Sequence, residues 1–209
     1  MISGALDPLF ADKWHDIRCV DLACNQGFFS MELARKGCRE VLGIEARQET
    51  VNEANLMRDC LGLMNATYVQ GDVMAMDGSE YEAFDIVLML GLIYHLENPV
   101  GALRIAKAMT KGVLLVESQV GPEIEGKIDW GTCEMQQPVH GAFTIIDETE
   151  QFANPLGSVT GIALCPSPQA IVWILKALGF ARVEILPLPD NAYEQFVAGK
   201  RVMIAAYTA

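Results

Sequence analysis

The chain has 209 residues, 51% of them apolar and 20% charged. That suits one folded domain with a substantial core and excludes an intrinsically disordered chain. A net charge of −12 disfavours a nucleic-acid partner, since such partners usually meet a basic face. The only basic tail is "GKRV", with Lys200 and Arg201. The densest apolar burst, "FDIVLMLGLIYHL", is too short to span a bilayer. The opening "MISGALDPLFADKWHD" lacks a basic start and an apolar leader core. No membrane association is expected, and a cytoplasmic protein is. Six cysteines are scattered without a CxxC pair, so reduced thiols and no metal site are expected.

In chain order, β-rich runs alternate with amphipathic helices. "RCVDLA" reads as the first strand and "GFFSMELARKG" as a helix with Phe28, Met31, Leu33 and Ala34 on its inner face, closed by Gly37. "EVLGIEA" is the second strand. "RQETVNEANLMRDCLG" is a helix turning Val51, Ala54, Leu56 and Leu61 inward and ending near Gly62. "NATYVQGDV" holds the third strand. "FDIVLMLG" is the fourth, apolar on both faces as a central parallel strand is. "NPVGALRIAKAMTKG" is a helix with Asn98 as cap and Pro99 in its first turn. "VLLVESQ" is the fifth strand.

Regularity then fails. Residues 120–166 hold turn formers and one extended run, "AFTII", and read as an insertion or lid. "SPQAIVWILKALGF" restores the helix pattern, with Ser167 as cap and Pro168 following. "RVEILPL" and "RVMIAAYT" are two last strands with no helix expected between them. The sum is a doubly wound α/β sheet with helices on both faces, residues 1–209 forming one domain.

Ligands of such sheets bind beyond the carboxyl ends of the strands, where the first strand runs into "DLACNQGFFS". A dinucleotide fingerprint needs glycines at the places held here by Ala23, Asn25 and Phe28. That reading is therefore disfavoured. Glu45, closing the second strand in "GIEA", suits two ribose hydroxyls. Asp72 and Val73 in "QGDV" suit an adenine amino group and ring. Past the fourth strand, "LIYHLENP" offers His95 as a general base and Tyr94 as an orienting group. Trp130, Glu134, His140 and Phe143 lie in the insertion, where packing is the favoured role.

The ordered set resembles the class I S-adenosylmethionine (SAM)-dependent methyltransferases. "VDLACNQGFFS", "GIEA", "GDV" and "FDIVLMLGLIYHLENP" are similar to that family's motifs in order and spacing. The resemblance implies a mostly parallel seven-stranded sheet of order 3-2-1-4-5-7-6, with strand 7 antiparallel. It implies SAM as cofactor, with S-adenosyl-L-homocysteine as product. Residues Ala23, Cys24, Asn25, Gly27 and Phe28 would hold the methionine part, Asp21 its ammonium group, Glu45 with Ala46 the ribose, and Asp72 with Val73 the adenine. Leu90 and Gly91 would pass beside the methionine part. Two of the family's glycines are replaced here, by Ala23 and Asn25.

A small-molecule acceptor methylated at O or N is the leading expectation. "YHLENP" also resembles the enzymes that carboxymethylate the wobble uridine of tRNA from carboxy-SAM. Those carry a larger region before the first strand than the roughly sixteen residues here. A non-catalytic SAM-binding protein is the other alternative. With little sequence before the first strand to cover the cofactor, a homodimer partner is an option.

Overall fold

The computed structural model describes residues 1–129, 131, 136–151 and 157–208. Its centre is a seven-stranded sheet. Chain order gives β1 (Arg18–Leu22), β2 (Glu40–Glu45), β3 (Ala66–Gln70), β4 (Phe84–Leu90) and β5 (Thr110–Gln119). Two hairpins follow, β6 (Glu125–Asp129) with β7 (Gln136–His140) and β8 (Phe143–Asp147) with β9 (Ile162–Pro166), and then β10 (Arg182–Ile185) and β11 (Arg201–Tyr207). Across the sheet the order is β10-β11-β5-β4-β1-β2-β3. β11 runs antiparallel to both β5 and β10, and the other pairs are parallel. Counting only these seven strands, this is the expected order 3-2-1-4-5-7-6.

Strand alternation builds two apolar layers, because successive side chains leave a strand on opposite faces. Cys19, Ile86, Leu88 and Leu115 enter one layer, with α1 (Ile2–Phe10), α2 (Phe28–Arg35) and α3 (Gln48–Leu61) packed on it. Val20, Leu22, Val87, Met89, Leu114 and Val116 enter the other, under α4 (Pro99–Met109) and α5 (Pro168–Ala177). β4 sits between β1 and β5 and feeds both layers, which is why its sequence is apolar from Ile86 to Leu90. Register sets the strand ends level: Asp21 lies opposite Gly43 and Leu88, and Leu90 opposite Glu117.

Helix ends follow their local chemistry. The Asn98 carboxamide oxygen accepts from Gly101 N at 2.8 Å, and Ser167 Oγ accepts from Ala170 N at 3.4 Å. α3 stops at Gly62, in the left-handed region at φ +66°. Several expectations change. The segment before β1 carries α1, whose Leu6 is fully buried. Phe28, Leu56 and Leu61 point outward, at 65%, 65% and 44% exposure, because the buried stripe of α2 runs through Ser30, Met31, Leu33 and Ala34 and that of α3 through Val51 and Ala54. A short helix, α6 (Glu194–Val197), interrupts the connection between the last two strands, which pair antiparallel. The stretch after β5 is built of hairpins: Leu164 N of β9 bonds Leu96 O, tying it to the segment that leaves β4.

Candidate functional site

β1 delivers Asp21 to the centre of the sheet, where the chain turns through residues 23–27 into α2. Ala23 and Asn25 hold φ of +60° and +51°. These are the two places where the resembled family carries glycine, so the backbone keeps the glycine-like path although the side chains changed. Gly27 follows at φ +82°, and a Cβ there would lie 2.6 Å from the Tyr68 ring. Tyr68 fits only because Gly43 also lacks a side chain, a Cβ at 43 falling 2.4 Å from the same ring. Tyr68 Oη then donates to Gly27 O at 3.4 Å. Cys24 is buried beside this packing, its N bonded to Ile44 O at 3.0 Å, and burial raises its thiol pKa.

Asp21 is buried, and its Oδ2 has no hydrogen-bond partner. Burial pushes its pKa up to about 7; hydrogen bonds from Ser30 oppose the shift and the nearby Glu45 charge adds to it. A cationic ligand group is the missing partner that such an orphaned carboxylate oxygen suits. The SAM ammonium is one. Glu45 is buried at the end of β2. Its Oε2 accepts from Asn25 N at 3.2 Å and its Oε1 from Arg47 N at 3.0 Å, with Arg47 Nη1 3.6 Å away. The carboxylate thus holds the glycine-like turn. Ala46 O accepts from Gln70 Nε2 at 3.0 Å. Asp72 is exposed beyond β3 and caps the next turn, its Oδ1 accepting from Met74 N at 2.8 Å, while the Val73 side chain is buried. The strand ends thus bring together Asp21, the 23–28 turn and Glu45, with Asp72 and Val73 following β3.

Beyond β4, Leu90 and Gly91 line a cleft of about 730 Å³. Its walls include Ile2, Phe28, Phe29, Leu33 and Phe196, and Glu117 and Arg201 also line it. Arg201 Nη1 donates to both Glu117 oxygens, at 2.9 and 3.1 Å, Nη2 donates to Tyr94 Oη at 3.2 Å and Nε to Gln195 Oε1 at 2.6 Å. Arg201 is therefore spent inside the molecule rather than offered as a basic patch. Burial raises the Glu117 carboxyl pKa, and the guanidinium opposes the shift. Burial also raises the Tyr94 phenol. Tyr94 and Gln195 line a second cleft of about 410 Å³ with Glu148, Thr144 and Lys200.

His95 stands beside Tyr94, ring centroids 4.2 Å apart. Its Nδ1 lies 2.9 and 3.0 Å from the two oxygens of Glu148, a buried residue 53 positions away that follows β8. Reading the sequence did not single out Glu148, Glu117 or Arg201 as site residues. The acidic end of "VLLVES" was the one available hint. His140 and Phe143 lie on the hairpins, and His140 stacks on Trp173 at 5.5 Å, away from the strand ends. Trp130 and Glu134 lie outside the described residues. Among the described residues, no three His, Cys, Asp or Glu side chains gather as metal ligands.

An antiparallel strand beside the last parallel one, a glycine-like turn over a buried aspartate and a glutamate closing β2 define a Rossmann-like class I methyltransferase. Residues 14–154 match the family model described as "Methyltransferase domain", and the chain belongs to that family. The chain is 29% identical over 103 residues to a tRNA U34 carboxymethyltransferase of Desulfotalea psychrophila (strain LSv54 / DSM 12343), covering 47% of this chain and 31% of the relative. It spans about a third or less of the length of the curated relatives it matches. Among solved structures, the N-terminal domain of EvdMO1, in the presence of SAH and D-fucose, superposes with a TM-score of 0.74 at 19% identity, covering 100% of this chain and 82% of that one. Magnesium protoporphyrin IX methyltransferase (ChlM) from Synechocystis PCC 6803, with bound SAH, superposes at 0.64 with 17% identity, again covering 100% and 82%. No helix of the described residues is long and apolar enough to cross a membrane.

Proposed function

We propose that the chain transfers a methyl group from SAM to an oxygen or nitrogen of a small, largely apolar acceptor. One observation carries the acceptor class: the cleft of about 730 Å³ beside Leu90 and Gly91 is walled mainly by aromatic and aliphatic side chains, which is how pockets for small organic molecules are built. SAM supplies an electrophilic methyl group when bound. In this reading Asp21 takes its ammonium group, Glu45 the ribose hydroxyls, and Asp72 with the Val73 backbone the adenine. Phe28, Phe29 and Phe196 offer the acceptor aromatic surface on the cleft wall. In this reading Tyr94, whose Oη is bonded to Arg201 on the wall of that cleft, orients the acceptor at the cleft's inner end, and His95 beside it accepts the proton as the new bond forms. The five described cysteines are free thiols, consistent with a reducing cytoplasm.

A second reading, modification of a tRNA wobble uridine, rests on the Desulfotalea relative. The net charge of −12 and the internal pairing of Arg201 weigh against a polyanion. The test is transfer of label from methyl-labelled SAM to a panel of small phenols, alcohols and amines, with bulk tRNA alongside. Label in a small acceptor supports the proposal; label in tRNA overturns its acceptor class. Binding of SAM without transfer to any of them would favour a non-catalytic binding protein. Calorimetry with SAM, S-adenosyl-L-homocysteine and NADH tests the donor, and binding of NADH alone would refute it.

A further inference from the structure

We propose that Glu148, supplied by the stretch between β5 and α5, is the positioning residue that fixes the ring of His95 for proton acceptance. The inference rests on the reading of His95 as the base. His95 follows β4 in the short turn Ile93–His95. Tyr94 packs on the ring from the neighbouring position, but the group against Nδ1 is a carboxylate 53 residues later. Both Glu148 oxygens lie within 3.0 Å of that nitrogen.

The carboxylate is itself held. Ser158 N donates to Glu148 Oε2 at 2.6 Å, and Glu148 N donates to Gly161 O at 2.8 Å. A buried carboxylate offers acceptors and no proton. Nδ1 must then carry the hydrogen, and in the neutral ring Nε2 keeps its lone pair. The side chain of His95 remains 20% exposed, and with Nδ1 facing Glu148, Nε2 is the ring nitrogen left to meet an acceptor. Tyr94, the other titratable side chain against the ring among the described residues, is tied to Arg201. Glu148 also ties the base to the hairpin stretch, because the Leu164 N to Leu96 O bond joins the same two segments at 2.9 Å.

The test is nitrogen-15 NMR of the histidine rings in the full chain, which needs no acceptor. With only three histidines, His15, His95 and His140, loss of one ring signal in His95→Ala assigns it. At neutral pH, native His95 should carry hydrogen on Nδ1 and none on Nε2. Glu148→Gln should invert this: the amide oxygen stays on Ser158 N–H, the amide NH₂ faces Nδ1, and the hydrogen moves to Nε2. S-adenosyl-L-homocysteine affinity should stay within about twofold, since Glu148 touches no residue assigned to the cofactor.

A native ring protonated on Nε2, or on both nitrogens, overturns the proposal, and the native spectrum decides this even if the variant fails to fold. A Gln variant that keeps the native tautomer, or folds but no longer binds S-adenosyl-L-homocysteine, also overturns it. Failure of the native chain to bind that nucleoside would instead strike the donor reading, and is read separately by calorimetry.

Discussion

Ala23 occupies left-handed backbone, at φ +60°, where an L side chain costs roughly 1–2 kcal/mol relative to glycine. Ala23→Gly should therefore stabilise the fold by about 0.5–1 kcal/mol after the extra freedom of unfolded glycine is deducted, read as a higher urea midpoint; a lower midpoint would mean that the methyl packs usefully. Asp21 makes a second residue-scale case. Its folded pKa of about 7 lies above the ordinary aspartate value of 3.8. Without ligand, the stability that its proton contributes is present at low pH and is lost as pH rises through about 7. A bound ammonium group favours the ionised form, so binding releases a proton below that value. SAM affinity should rise between pH 6 and 8 and then level off, as calorimetry in buffers of different ionisation enthalpy would read; a pH-independent affinity would show that Asp21 does not meet the cation. Glu45→Ala should weaken SAM binding by about 1.5–3 kcal/mol, through lost charge-assisted hydrogen bonds, while His95→Ala leaves it nearly intact. Equal losses in titrations of the two variants would refute that division of labour.

At the scale of elements, helix ends were legible in the sequence because they are local. Asn98 and Ser167 cap as their residue types dictate, and Gly62 ends α3. Ser167 does more than cap: its Oγ also accepts from Ala142 N at 3.1 Å, and Ser167 N donates to Ala142 O. Ser167→Ala leaves a backbone N–H of the hairpin stretch unpaired in addition to the lost cap. We expect it to cost about 1–2 kcal/mol, against about 1 for Asn98→Ala, in parallel urea titrations. What sequence pattern missed was non-local. The partner of His95 lies 53 residues away and that of Tyr94, Arg201, 107 residues away. α1 escaped notice because Pro8 falls inside it. The periodicity that turned Phe28 and Leu56 inward counted apolar residues without knowing which face the sheet would cover. The cofactor turn was readable for the opposite reason, since residues 21–28 are contiguous and their backbone path is dictated by their own chemistry.

At the scale of the molecule, the two apolar layers meet only through the sheet, and the candidate site spans its strand ends. The proposed nucleoside contacts come from β1, β2 and the segment after β3, and the acceptor cleft adds α1, α2, β5, β11 and the loop around α6. Unfolding either layer breaks up that edge, so a ligand there is linked to the folding of the whole chain rather than to one local segment. S-adenosyl-L-homocysteine at about 100 times its dissociation constant adds roughly 2.7 kcal/mol to the folded state. For a chain of this size that should raise the thermal midpoint by about 5–10 °C, with NADH leaving it unchanged. A single shifted transition in calorimetry would agree with a site shared by both layers. An early transition that the nucleoside does not move would place part of the fold outside the linkage, with the hairpin stretch holding Glu148 the first candidate, since its two strand pairs, β6 with β7 and β8 with β9, stand outside the seven-stranded sheet.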